Sequence, residues 1–389
     1  MRIVIAPDKF KGSLDAAGVA RAVAEGIRAV RPEAAVDLVP VADGGEGTLD
    51  AALGAGFERR TTVVTGPTGA PVAADWGLRS DEAVIEMALA SGLAVLPGGV
   101  RDARGATSRG TGELIAAALD AGARRIVLGV GGSAGTDGGA GMLQALGLRL
   151  HDGAGAVLPG GGAALARLVT MDASAIDPRL AEASITLAGD VDNPLLGPNG
   201  AAAVFGPQKG ATPADVAELD AALAHYAALI ADAFGVHGAA DAPGAGAAGG
   251  VGFAAVAALG AVRRSGIDVV LEFTGLRERL IGADLVVTGE GSIDEQSLGG
   301  KTPVGVAIAA AEVGVPVVAV CGRTTLDDDR LRAAGFVRTY ALAAREPDPE
   351  VSMRDAARLL REIGAELAAD LPGGIDAARA EPLTESTPS

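Results

Sequence analysis

The chain has 389 residues, 49% of them apolar, and 32 basic against 49 acidic residues leave a formal charge of −17. That apolar content excludes global disorder, and the acidic surplus repels phosphate backbones and anionic membrane surfaces, so no nucleic-acid or membrane partner is expected. A lone cysteine, Cys321, permits no internal disulfide and the first residues carry no leader pattern, which together predict a cytoplasmic protein.

Residues 3–7 (IVIAP) predict a buried strand. Ser13 then caps a helix over 14–31, residues 36–40 form a second strand, and a helix over 44–54 starts at a glycine pair. This is the βαβα opening of a parallel sheet. Hairpin-like strands follow at 61–65 and 72–79, then a helix at 111–121, strands at 125–129 and 184–188, and an Ala-rich helix at 212–233. Near the other end, strands at 284–288, 316–320 and 337–342 alternate with helices at 303–313, 327–334 and 351–369. Thr302 is the expected N-cap of the first of these helices, with Pro303 at N1. The expected fold is α/β. A Rossmann-like parallel-sheet domain spans 1–65 and 284–372, a second α/β domain is inserted at 66–283 with an intervening cleft, and 373–389 form a flexible tail.

Glycine fills 58 positions, about twice the usual ~7%, and punctuates apolar runs as in α/β enzymes with tight strand-to-helix turns. Of the basic residues only four are lysine (Lys9, Lys11, Lys209, Lys301), and all lie in glycine-containing loops. A surface charge drifts between Arg and Lys at little cost, whereas a compact ammonium is needed at a point such as a phosphate oxygen. The lysines therefore mark candidate ligand sites.

Five loops carry the remaining signals. Asp8, Lys9, Lys11 and Ser13 follow the first strand and precede a helix N-terminus, a setting for a phosphate or carboxylate. Asp43, Gly44 and Gly45 follow the second strand, where Asp43 can serve as base or as helix cap. Residues 129–139 (GVGGSAGTDGG), with Gly132, Ser133 and Asp137, match a degenerate dinucleotide fingerprint and, more broadly, a glycine-lined phosphate cradle. Residues 190–210 hold Asp190, Asp192, both asparagines of the chain (Asn193 and Asn199), Gln208 and Lys209, an oxygen-rich set suited to Mg²⁺. Residues 288–303 hold Glu290, Asp294, Ser297 and Lys301. Their GGKT is not a Walker A, because the glycine required five places before Gly300 is Glu295. No Cys/His cluster supports zinc, and Cys321 without a paired histidine is read as structural.

The motifs IAPDKFKGSL, PVADGGEGT, GGSAGTDGGAGMLQALG, DVDNPLLGPNGAAAVFGPQKGA, GAAGGVGFA and TGEGSIDEQSLGGKTPVGVA together resemble the bacterial glycerate kinase family that has neither the P-loop nor the sugar-kinase fold. The likeness covers about residues 1–370. It implies ATP-dependent phosphorylation of D-glycerate, to 2-phosphoglycerate in most members, by a two-domain α/β enzyme with a cleft; the need for Mg²⁺ is expected from the acidic loops and the excess substrate charge. Phosphoryl transfer asks chiefly for positioning and charge neutralisation. Asp190 and Asp192 are accordingly expected to support Mg²⁺, and Lys9, Lys11 and Lys301 to bind phosphates or the substrate carboxylate. Asp43 is the expected base, with Asp294 second and Lys9 assisting. Asp8, Ser13, Gly44, Gly45, Gly132, Ser133, Asp137, Asn193, Gln208, Lys209, Glu290 and Ser297 complete the expected substrate and ATP contacts, in a monomer or homodimer. Two other readings stay open: a nicotinamide-dependent hydroxy-acid oxidoreductase resting on the fingerprint at Gly129, and a non-catalytic two-lobed carboxylate sensor.

Overall fold

A computed structural model describes residues 1–371; the tail expected over 373–389 lies outside them. The chain opens with β1 (Arg2–Pro7), α1 (Ala16–Val30) and β2 (Ala35–Leu38). It continues through α2 (Thr48–Gly54), β3 (Glu58–Thr65), β4 (Pro71–Arg79), β5 (Glu82–Glu86), α3 (Ala88–Ser91), α4 (Arg109–Asp120) and β6 (Arg125–Gly129). Next come α5 (Ala140–Ala145), β7 (Arg149–His151), β8 (Thr170–Asp172), β9 (Ser184–Ala188), α6 (Ala201–Phe205), α7 (Pro213–Phe234), α8 (Ala247–Leu259) and β10 (Val262–Arg264). The last part holds α9 (Gly266–Thr274), α10 (Leu276–Leu280), β11 (Leu285–Ile293), α11 (Thr302–Glu312), β12 (Val317–Thr324), α12 (Asp328–Ala333), β13 (Phe336–Ala341), α13 (Pro349–Arg354) and α14 (Ala356–Asp370).

Two compact units result, one of residues 1–43 with 270–371, the other Gly44–Val269. The first unit is a five-stranded, all-parallel sheet in the order β13-β12-β11-β1-β2. Ile3, Val4, Ile5, Val286 and Val287 are fully buried, the continuous apolar run of a strand covered on both faces. Asp15, not Ser13, caps α1, its carboxylate accepting the Gly18 N–H, while the Ser13 hydroxyl donates to the Met353 carbonyl. α1 lies close on α14 because a Cβ on Gly26 would meet the Arg361 carbonyl at 2.0 Å and one on Gly364 the Val23 carbonyl at 2.3 Å. The helix expected over 351–369 is two, α13 and α14, joined at Asp355.

The second unit holds a six-stranded sheet in the order β10-β9-β6-β5-β4-β3. β3, β4 and β5 pair antiparallel, the rest parallel. β3 pairs with β4 along its whole length from Glu58 to Thr65. Its ladder therefore places 58–65 in this unit, and the division falls at 43/44 and 269/270 rather than at the expected 65/66 and 283/284. The core of this unit is built from Ala, Val, Leu and Ile around Trp76, Tyr226 and Phe253. Among the described residues no helix is long and apolar enough to cross a membrane.

Candidate active site

In the first unit the site residues gather at the carboxyl ends of β1 and β11. These strands pair in register from Ile3↔Leu285 to Pro7↔Gly289, which sets Asp8 beside Glu290. Asp8 is only 5% exposed. Its carboxylate accepts from its neighbour's N–H (Lys9, 2.6 Å) and from the Thr302 hydroxyl (2.8 Å), and the Lys9 ammonium lies at 3.7 Å. Burial pushes the Asp8 carboxyl up to about 6, with Asp43 adding to the rise and Lys9 and Thr302 opposing it. Asp43 reaches this edge because the chain after β2 keeps running along β1, the Val41 N–H donating to the Pro7 carbonyl.

Glu290, half-buried, accepts a 2.5 Å hydrogen bond from the Ser297 hydroxyl. Burial pushes its carboxyl up to about 7; Ser297 and the Lys301 ammonium pull it down, while Asp8 and Asp294 raise it. Lys301 is the N-cap residue of α11, in place of the expected Thr302, whose hydroxyl instead serves Asp8. The Lys301 ammonium lies 3.4 Å from the Gln296 side-chain oxygen. Asp294 closes its own loop, its carboxylate accepting the Gln296 N–H and its N–H donating to Ser297 Oγ. Lys11 is exposed. Cys321 pairs with Glu290 in the β11–β12 ladder, and burial pushes its thiol up to about 12, which leaves it unreactive at neutral pH.

In the second unit, three loops meet at the carboxyl ends of β5, β6 and β9. Glu86, ending β5, accepts the N–H groups of Gly47 and Leu49 and so caps α2. The turn before α2 lies on β6 and β9: a Cβ on Gly44 would meet Gly266 Cα at 2.7 Å, and one on Gly129 the Gly44 carbonyl at 2.6 Å. Asp190 accepts the Gly266 N–H at 2.9 Å at the start of α9. Gly44, Gly45, residues 129–131 and Asp190 thus share one sheet edge.

The rest of the 129–139 loop is committed internally. Gly132 accepts from the Leu93 N–H, Ser133 bridges to Gly92, and the Ala134 N–H donates to Ser91. No helix starts until Ala140, and Asp152 spends its carboxylate on its own turn, accepting from Ala154 and Ala156. The strand–turn–helix context that a dinucleotide fingerprint requires is absent, and the oxidoreductase reading loses its basis. Asp137, expected among the ligand contacts, is 1% exposed and fully engaged. It accepts from Thr107 and Ser108 hydroxyls and from the N–H groups of Ser108, Gly139 and Gly141, joining the starts of α4 and α5. Lys209 is also 1% exposed, donates to the Gly135 carbonyl, and is pushed down to about 7 by burial, against the pull of Asp137. Both residues brace the loop from inside.

Each of the two aspartates expected to support Mg²⁺ has a protein partner. Asp190 holds the α9 N-terminus, and Asp192, largely exposed, ion-pairs with Arg263 at 2.6 Å. Among the described residues no group of three or more His, Cys, Asp or Glu side chains could hold a metal ion. Asn193 ties its loop through the Asn199 carbonyl, and Gln208 is exposed. Sequence reasoning missed Glu86 and assigned Thr302 only a capping role. Glu86 ends the strand EAVIE directly after three buried apolar residues, a signal in the sequence for a buried carboxylate.

The model of the glycerate kinase family matches residues 3–371, in agreement with the resemblance of the motifs. The glycerate 2-kinase of Escherichia coli (strain K12) is 47% identical over 376 residues, 95% of this chain and 98% of the relative. The glycerate kinase of Bacillus subtilis (strain 168) is 46% identical over 377 residues, with 95% and 98% covered. A crystal structure assigned as glycerate kinase 2 from Salmonella typhimurium LT2 superposes with a TM-score of 0.84 at 45% identity, covering 96% of this chain and 99% of that one.

Proposed function

Since the chain belongs to the glycerate kinase family of enzymes, we propose that it transfers the γ-phosphoryl group of ATP to D-glycerate, forming 2-phosphoglycerate. The observation that carries this reading is the cluster at the ends of β1 and β11, where Lys9 and Lys301 stand among Asp8, Asp43 and Glu290. Glycerate brings one negative charge and ATP about four to a protein of net charge −17, so local ammonium groups are the counter-charges available to the transferring phosphoryl group. Lys9, Lys11 and Lys301 take that role. Magnesium enters as part of the substrate MgATP and neutralises phosphate charge there; the chain's own residues bind and orient the reactants. In the second unit, the edge shared by Gly44, Gly45, residues 129–131 and Asp190 is a backbone-lined surface suited to a phosphate-bearing substrate. The enzyme works in the cytoplasm, as a monomer or homodimer.

The test is an incubation of purified protein with ATP, magnesium and D-glycerate, followed by assay of ADP and by coupling to enolase, which accepts 2-phosphoglycerate directly and 3-phosphoglycerate only after a mutase is added. Glycerate-dependent ADP release with immediate enolase signal is expected. No glycerate-dependent ADP would overturn the reading, and a signal that waits for the mutase would overturn the 2-position.

A further inference from the structure

Besides Asp43 and Asp294, the paired strands of the first unit hold a third carboxyl group, that of Glu290. Asp294 is spent on its own loop. Asp43 lies at the edge, after the β2 extension. Glu290 lies in β11 itself, one residue past the Gly289 that pairs with Pro7, so a central strand of the sheet fixes its backbone. The Ser297 hydroxyl, from the loop before α11, holds its Oε1 at 2.5 Å, and the side chain remains partly open to solvent.

We propose that Glu290 is the general base of the phosphoryl transfer and that Ser297 is the positioning residue that orients it. The inference rests on the kinase reading above and deepens it. In the step, the Glu290 carboxylate takes the proton of the accepting glycerate hydroxyl as that oxygen bonds to the γ-phosphorus. The bond from the γ-phosphorus to the β,γ-bridging oxygen breaks and its electron pair leaves on ADP. The proton on Glu290 is then released to solvent.

The charged groups around Glu290 set the pH at which it can act. Lys301 at the α11 N-cap favours its carboxylate; Asp8 at the end of β1 and Asp294 in its own loop disfavour it; Lys9 and Asp43 bear on the neighbouring Asp8; and the buried Cys321 thiol on β12 stays neutral. With the Glu290 carboxyl near 7, the ionised base is lost as pH falls through neutrality.

The experiment first establishes glycerate-dependent turnover in the parent, so that failure of the kinase reading is seen separately. Glu290→Gln and Ser297→Ala are then compared with it, with folding checked by circular dichroism and MgATP binding by calorimetry. Glu290→Gln is expected to keep its fold and nucleotide affinity, to lose roughly 10²–10⁴-fold in kcat, and to lose the acid limb of the pH profile. Ser297→Ala is expected to keep that limb but move it to higher pH, because the hydrogen bond that lowers Glu290 is gone; a limb due to ATP ionisation would not move. Should Glu290→Gln fail to fold, Glu290→Asp, which keeps the charge, replaces it, with reduced kcat and a retained limb expected. Turnover of Glu290→Gln within three-fold of the parent, or a limb unmoved by Ser297→Ala, would overturn the proposal.

Discussion

The Lys209 ammonium donates to the Gly135 carbonyl at 2.5 Å inside the second unit, with almost no solvent contact. A lysine in a glycine-rich loop is thus an internal brace, and the space around it is tight: a Cβ on Gly249 would stand 2.8 Å from its Nζ. Burial holds the group well below the ordinary lysine range, at about 7. Between about pH 7 and the unfolded lysine value near 10.5, the unfolded chain therefore binds more protons than the folded one, and stability rises with pH.

This sets the first prediction. Lys209→Met removes the titrating group, so the stability difference between parent and variant should shift in the parent's favour by about 1 kcal/mol or more between pH 7 and pH 9.5. Urea unfolding at the two pH values checks it; a constant difference would contradict the buried, proton-shedding ammonium.

A second prediction concerns the lysines of the first unit. Arginine keeps the charge of Lys9 and Lys301 but replaces a compact ammonium by a wider planar fork. Misplacement by an ångström at a phosphate can cost ~10²-fold. Lys9→Arg and Lys301→Arg should each reduce kcat/KM by roughly 10-fold or more, about 1.4 kcal/mol. Arg354→Lys, at an exposed position beside Asp355, should leave the kinetics unchanged. Parent-like values for both lysine variants would return them to ordinary surface charges.

Thr302 gives a third. Its hydroxyl donates to the buried Asp8 carboxylate, so Thr302→Val leaves that carboxylate with one donor fewer, a cost of about 1–3 kcal/mol while Asp8 is ionised. Because the folded-state Asp8 value, about 6, lies above the unfolded value of 3.8, the folded chain holds the proton more tightly and the ionised form is the costly one. The destabilisation should accordingly be full at pH 8 and shrink at pH 5, read as melting temperature at each pH.

Asp137 gives a fourth. It collects donors from Thr107, Ser108, Gly139 and Gly141. Asp137→Ala should lower stability by about 3 kcal/mol or more, since several buried N–H and O–H groups lose their acceptor at once. Near-parent melting would show that these groups find other partners.

The sequence alone determined many of the local elements and the family. β6 and β9 lie where the apolar runs at 125–129 and 184–188 placed them, because short β-branched and leucine runs between turn residues have few alternatives. α7 follows from its Thr212 cap and Pro213. What the tertiary structure decided is which sheet a strand joins and which side of a loop meets water. β3 has a strand's pattern in either unit, and only its ladder with β4 assigns it to the second. Lys209 and Lys301 both read as lysines in glycine loops, yet one is buried on Gly135 and the other stands partly exposed at the N-cap position of α11, against Gln296. Glu290 and Asp8 are 282 positions apart and become neighbours only through the register of β1 with β11. Local patterning records the period of burial along one segment, whereas the protonation of a carboxyl depends on desolvation and on charges brought in by other segments.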